Sequence, residues 1–338
     1  MIKFGVQRRY HITEPSEVAA VRRSACALAE ACGFSEVRTG EVALVVTEAA
    51  TNILKFATSG EILIRSLERN ETVGLEILAI DSGPGMTNVP HYMGDGNSTA
   101  GTYGLGLGTI ERLSDEFDIF SDADKGLVLF SILWKDRVIQ DDLGWQIGAI
   151  CLPIASEDVS GDAFEIRVTH NDCTILLSDG LGHGYAAAEA SRAAQEVILD
   201  NDDSSPSLLL QKCHKALKGT RGAAIAISCI DRAQCELRFA GVGNIVACLF
   251  DNHSRRHLVS HNGIVGNNLL KIQEFTQSWD THHFLIVHSD GINTRWDLNQ
   301  YPGLSNAHPL LVAGVLYRDF SRGRDDVSVV MLRDKGIQ

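Results

Sequence analysis

Acidic residues that end apolar runs or sit beside glycine recur through the second half of this sequence. They are Asp162 in Val-Ser-Gly-Asp, Asp179 in Leu-Leu-Ser-Asp-Gly-Leu-Gly-His-Gly, Asp290 in His-Ser-Asp-Gly-Ile, and the neighbours Asp325 and Asp326 in Arg-Asp-Asp-Val-Ser-Val-Val. An apolar run that stops at an aspartate and turns through glycine reads as a buried strand delivering a carboxylate to a tight backbone turn. Several such carboxylates can gather oxygen ligands around hard divalent cations, a task that histidines and thiolates suit less well. Two cations held in this way can clamp a phosphoryl oxygen and generate hydroxide near neutral pH. A solvated turn is the ordinary fate of any one of these aspartates. The set of them points to a metal centre.

The first half carries a different constellation. Glu48 and Asn52 lie four residues apart on an amphipathic helix expected from about Ser35 to Phe56, so their side chains project side by side. Both sit in an otherwise apolar stretch, where polar groups need partners. Asp81 ends an expected strand and leads into Ser82-Gly83-Pro84-Gly85. Further on, Gly104-Leu-Gly106-Leu-Gly108 opens a helix running to about Leu113, and glycines at a helix N-terminus expose N–H groups to which phosphate can bind. A Rossmann site needs a strand directly before such glycines and a crossover after them; here a loop precedes and a hairpin, Glu116 to Ser121 with Leu127 to Trp134, follows. No P-loop motif is present.

The elements that must position these residues divide the 338-residue chain in two. Before Asp81 the pattern predicts a strand over residues 3 to 10, a helix from Pro15 to about Cys32, the Glu48 helix, and strands Glu61 to Leu67 and Thr72 to Ile80. A polar stretch at 137–143 reads as a linker. Strand-like runs then dominate, with helices expected at Tyr185 to Asp200, Ser207 to Lys218 and Pro309 to Phe320, and Ala240 to Asn244 reads as a tight hairpin. A net charge of -13 without Lys/Arg clusters argues against nucleic-acid binding. Eight cysteines without Cys-x-x-Cys spacing read as reduced core residues of a cytoplasmic protein. No signal peptide and no membrane-spanning apolar run is expected.

The ordered set Glu48-x-x-x-Asn52, Asp81-x-Gly83-x-Gly85 and Gly104-x-Gly106-x-Gly108 resembles the GHKL ATPase/kinase family, in the small version used by anti-sigma-factor serine kinases and most narrowly by stressosome switch kinases. That resemblance implies domain 1–136, ATP and Mg2+ as ligands, Asn52 on the Mg2+ of the triphosphate, Asp81 on the adenine amino group, the Gly104 to Gly108 loop over the phosphates, and Glu48 as the base that orients the acceptor hydroxyl. One departure is Gly126-Leu127, where the family usually has Gly-Thr. The second set of motifs resembles the PPM-type metal-dependent serine/threonine phosphatases of the SpoIIE branch, over domain 144–338. It implies two Mn2+ or Mg2+ ions bridged by Asp179, with the Gly180 carbonyl and Asp162 on one and Asp290 and Asp325 on the other; Asp326 is the second choice to Asp325.

Together these resemblances imply an α/β and α+β protein: a GHKL ATPase sandwich, with a mixed sheet and helices on one face, followed by a PPM-type two-sheet sandwich flanked by helices. The expected function is a phosphatase fused to a serine/threonine kinase-like domain, acting on STAS-domain proteins or other phosphorylatable regulators, with a sigma factor or downstream phosphatase as further partners. The alternative is a phosphatase whose N-terminal domain only sequesters a partner.

Overall fold

The computed structural model describes residues 2–57, 59–86, 89, 106–136, 143–251, 254–268 and 271–336. They form two compact units, one gathering the chain up to Trp134 together with Asp297–Ala307, the other the chain from Trp145 to Trp296 and from His308 onward. Apart from Leu143, the expected linker lies outside the described residues.

In the first unit, β1 (Ile2–Phe4) and β2 (Arg8–Ile12) both pair with β3 (Gly60–Arg69). The alternation at residues 3 to 10 therefore belongs to two strands. Between them Gly5 to Gln7 face only Arg65 and Ser66 across the ladder, a one-residue bulge that turns Val6 out to 82% exposure. Helix α1 (Pro15–Ala31) starts where Pro fixes the first turn and Glu17 reaches back to the Glu14 amide at 3.0 Å. Helix α2 (Glu36–Asn52) starts at Ser35, whose hydroxyl accepts from the Arg38 amide, and runs on into a wider π turn over Ile53–Ala57. Its apolar stripe of Val42, Val45, Val46 and Ala49 packs with Ile62, Ile64, Leu75 and Ile77 of the sheet.

Strand β4 (Thr72–Asp81) follows, then α3 (Gly106–Leu113) and the hairpin of β5 (Glu116–Asp122) with β6 (Gly126–Trp134). The sheet order is β1-β3-β4-β6-β5, with β2 also on β3. Where the sequence predicts a mixed sheet, every described pairing is antiparallel. The reason lies in the hairpin: β6 folds back into the place between β4 and β5, so two strands joined through a helix never touch.

Buried Arg38 fastens α2 to this sheet. Its guanidinium pairs with Asp115 and Glu41 and donates from Nε to the Trp134 carbonyl at 2.9 Å, while Asp115 also accepts from the Trp134 amide at 2.6 Å.

The second unit has two sheets. Its elements are β7 (Trp145–Leu152), β8 (Asp162–Val168), β9 (Asp172–Gly180), α4 (Tyr185–Leu199), α5 (Pro206–Ala216), β10 (Ala223–Asp231), β11 (Glu236–Val242), β12 (Val246–Phe250), β13 (Arg255–Leu258), β14 (Ser260–His261), β15 (Phe275–Ser278), β16 (Phe284–His288), α6 (Pro309–Phe320) and β17 (Val327–Asp334). One sheet runs β14-β11-β10-β9-β8 with β15 on β11; the other runs β13-β12-β16-β17-β7. Helices α4 and α5 bury Ala190, Ala194, Ile198, Leu209 and Leu210 on the first, and α6 packs on β7 and β17 of the second. This is the layered sandwich that alternating strands broken by a helical pair predict. The stretch Ala240 to Asn244 is a correction. With β10 on one side of β11 and β14 and β15 on the other, β12 has no edge to join, so the turn carries the chain across to the second sheet instead of forming a hairpin.

Gly180 illustrates how tightly α4 is seated: a Cβ there would stand 2.2 Å from the Ala187 carbonyl oxygen. Gly180→Ala is expected to destabilise the protein by ~2 kcal/mol or more through overpacking, read as a lower denaturation midpoint in urea; an unchanged midpoint would show that α4 can move away.

Candidate functional site: a carboxylate cluster and an ATPase-like helix pair

Antiparallel pairing places the exit of one strand beside the entrance of the next. At one end of the first sheet, Asp162 opens β8 and pairs in register with Asp179 near the end of β9. In the second sheet, β16 ends two residues before Asp290, and β17 starts directly after Asp325 and Asp326. The two ends are laced together. Ser328 Oγ donates to Asp162 Oδ2 at 2.7 Å, and Asp326 accepts from the Ile154 amide on Oδ1 and the Gly161 amide on Oδ2, each at 2.7 Å. All five aspartates are thereby brought to one place.

Their electrostatics follow from crowding. Burial pushes the Asp162 carboxyl up to about 7, opposed by hydroxyls of Ser289 and Ser328 and reinforced by Asp326 and Asp290. Asp179 is pushed up to about 8 by burial and then by the neighbouring charges of Asp162, Asp290, Asp325 and Asp326. Asp290 is raised by burial and Asp325, against the pull of Arg322 and the Asn244 amide; Asp326 is raised by burial against its two backbone donors. An all-oxygen, multiply anionic donor set of this kind fits a hard divalent cation, and cation binding relieves the repulsion that raises these pKa values. Among the described residues no three Asp, Glu, His or Cys side chains are closed tightly enough to be a finished cage.

Asp325 and Asp326 separate clearly. Asp326 is 3% exposed with both oxygens taken by amides, whereas Asp325 is exposed and, among the described residues, accepts only from the Asp326 amide through Oδ1. Asp325 is the carboxylate left to face outward. His183 is engaged with Glu157 at 2.6 Å, and the buried His288 accepts from Trp296 Nε1 at 3.1 Å and is driven down to about 4 by burial. Sequence reasoning missed Asn244, whose Nδ2 donates to Asp290 Oδ2 at 2.8 Å. Its signal was present in Gly-Val-Gly-Asn, read as a hairpin. It also missed Ser328, whose alternating place on β17 gave no hint of a carboxylate partner.

In the first unit, Glu48 and Asn52 project from the last turns of α2 toward the start of α3. A Cβ at Gly106 would stand 3.0 Å from Glu48 Oε2 and 3.3 Å from Asn52 Oδ1, so the two motifs meet. Gly108 is buried within α3; Gly104 lies outside the described residues. Asp81 Oδ1 accepts from the Gly83 amide at 2.8 Å. The loop behind it is tied to the β5–β6 turn: the Met86 amide donates to Ser121 Oγ at 2.7 Å and the Asp124 amide to the Pro84 carbonyl at 2.8 Å. Gly85, at φ 65°, sits against the Asp122 carbonyl. Leu127 pairs directly beside Asp81 in the ladder, which places the family departure at the same locus.

Both halves match known families. Residues 13–132 match the histidine kinase-like ATPase domain, and residues 169–334 match stage II sporulation protein E. The chain belongs to the first of these families and joins its ATP-binding, kinase-like GHKL domain to a SpoIIE-type PPM phosphatase domain. It is 35% identical over 118 residues to serine/threonine-protein kinase RsbT of Bacillus subtilis (strain 168), a match spanning 35% of this chain and 89% of that protein. It is 24% identical over 138 residues to phosphoserine phosphatase RsbX of the same organism, spanning 40% of this chain and 69% of that protein. Two solved structures superpose on it. A protein of the bacterial stressosome does so with TM-score 0.52 and 26% identity, covering 56% of this chain and 99% of its own; RsbX in complex with magnesium does so with TM-score 0.51 and 20% identity, covering 58% and 98%. Among the described residues no helix is long and apolar enough to cross a membrane.

The raised carboxyl pKa values set a pH dependence. Carboxyls whose folded pKa exceeds the unfolded value of about 4 retain protons that the unfolded chain has released, so their stabilisation is complete below about pH 4 and is lost as pH climbs through the folded values. For Asp162 and Asp179 that loss begins near the unfolded value and is complete above about 7 and about 8. In chelator, the unfolding temperature is expected to fall from about pH 5 to about pH 8.5, less steeply in Asp179→Asn, and to recover on adding manganese. Parallel profiles for wild type and variant would contradict the crowding.

Proposed function

We propose that the protein is a cytoplasmic, two-headed enzyme of partner-switching signalling. Its C-terminal domain, 144–338, removes phosphate from phosphoserine or phosphothreonine of a regulator, and its N-terminal domain, 1–136, transfers phosphate from ATP to serine or threonine, with 137–143 as the linker. The observation that carries the phosphatase reading is the meeting of Asp162 and Asp179 with the Asp290 and Asp325 ends of the opposite sheet.

Asp162, Asp179, the Gly180 carbonyl, Asp290 and Asp325 would hold two Mn2+ or Mg2+ ions. Ions so held supply charge neutralisation at the phosphoryl group and acidify water. The chain's own contribution is positioning. Ser328 fixes Asp162, Asn244 orients Asp290, and Asp326 holds the amides of Ile154 and Gly161 so that the loop before Asp162 keeps its place. None of these groups is placed to form a covalent intermediate, which fits direct attack by water.

On the kinase side, the approach of Gly106 to Glu48 and Asn52 supports the same division of labour that phosphoryl transfer requires, in which positioning and charge neutralisation do most of the work. Glu48 would accept the proton of the acceptor hydroxyl, Asn52 would bind the Mg2+ of ATP, Asp81 would take the adenine amino group, and the amides of Gly106 and Gly108 would face the phosphates, with Gly83 and Gly85 shaping the base pocket. STAS-domain proteins are the substrate class that both activities would share, with a sigma factor or a downstream phosphatase as further partners.

Two assays separate the heads. Manganese-dependent release of phosphate from a phosphorylated STAS protein is expected in wild type and lost by at least about a hundredfold in Asp179→Ala, on the scale of removing a principal charge-stabilising group; retained activity in that variant would refute the ligand assignment. Label from γ-labelled ATP is expected to accumulate on a STAS protein with Asp179→Ala and to vanish with Glu48→Gln added. Absence of transfer by both wild type and Asp179→Ala would leave the N-terminal domain a binding module.

A further inference from the structure

We propose that Arg221 is the side chain that receives the phosphoryl group of the phosphatase substrate, an inference that rests on the phosphatase reading above. Arg221 lies two residues before β10, the strand paired with β9, and Ala223 is in register with Gly180. Beyond that pair the ladder is extended by the Leu181 amide, which donates to the Gly222 carbonyl at 3.0 Å. This sets Arg221 against the turn that follows Asp179. The turn is shaped to admit it: Gly182 has φ 87°, and a Cβ there would stand 2.8 Å from Arg221 Nη1. The guanidinium therefore overlies the glycine turn a few residues from the central carboxylate of the cluster.

Its backbone is held while its side chain is not. Thr220 Oγ1 donates to the Leu217 carbonyl at 2.7 Å and accepts from the Gly222 amide at 3.0 Å, bracketing Arg221 on both sides. The side chain is exposed and has no hydrogen-bond or ion-pair partner among the described residues. Nearby, the His183 ring is hydrogen-bonded to Glu157, and Arg322 acts through space on the Asp290 carboxyl. A phosphate monoester entering a site walled by five aspartates meets repulsion that bound cations only partly offset. A guanidinium fork matches two phosphoryl oxygens and adds charge-assisted hydrogen bonds without competing for the carboxylates' own ions. Arg221 supplies that fork at the rim, and Gly182 leaves it room.

The test uses the full-length chain loaded with manganese, comparing wild type, Arg221→Lys and Arg221→Ala. The readouts are hydrolysis of p-nitrophenyl phosphate, inhibition by inorganic phosphate, and manganese affinity by calorimetry. Arg221→Ala is expected to raise KM for p-nitrophenyl phosphate and the inhibition constant of inorganic phosphate by about tenfold or more, with partial rescue in Arg221→Lys and unchanged manganese affinity. An inhibition constant for phosphate equal to that of wild type overturns the inference. Absence of manganese-dependent hydrolysis in wild type overturns the phosphatase reading, and this inference with it; active wild type with an indifferent Arg221→Ala overturns the inference alone.

Discussion

Five carboxylates share one end of the C-terminal sandwich, and most of that domain's local structure can be traced to the cost of placing them there. Like charges brought together in a partly buried space raise one another's pKa, and burial adds to the effect, as at Asp162 and Asp179. The fold answers with donors aimed at the buried and half-buried carboxylates. Ser328 and Ser289 serve Asp162, Asn244 serves Asp290, and two backbone amides serve Asp326. Because these donors come from the sheet opposite their acceptor, or from the crossover between sheets, satisfying the carboxylates also locks the two layers in register. Stability and chemistry thus rest on the same contacts. A divalent cation would complete the arrangement by relieving the repulsion that remains.

The N-terminal domain solves its positioning problem with a single helix. Arg38 near the start of α2 ties it to Asp115 and the end of β6, and the opposite end of α2 presents Glu48 and Asn52 to Gly106. A helix anchored at one end holds two polar side chains, at the other, in fixed relation to a glycine-containing helix start. The π turn directly after Asn52 is a local widening of the kind often found at functional sites. A kinase-like domain and a phosphatase domain are joined on one chain.

Much of this was legible in the sequence because the signals were local. Asp179 stood out as an acid ending an apolar run, and β9 delivers it as that pattern predicts; Asp162 stood out beside glycine, and it opens β8. Helices α1, α2, α4 and α6 begin at or within a residue of where caps, proline and periodicity place them. What escaped was nonlocal. The crossover at Ala240 to Asn244 looks like a hairpin until the neighbours of β11 are known, since only a filled sheet edge forces the chain to the other layer. The bulge at Gly5 to Gln7 depends on how two short strands share β3. Asp325 and Asp326, adjacent and chemically identical, are told apart by the Ile154 and Gly161 amides that donate to Asp326, which lie more than a hundred residues away in sequence.

The central claim is that this cluster is a divalent cation centre organised by Asp179. Calorimetric titration of manganese into wild type and Asp179→Asn tests it most directly, because binding is read without any substrate. The account predicts binding of about two ions per chain in wild type, as expected for a two-metal site, and loss of that binding in the variant. Identical manganese isotherms for the two proteins would contradict it.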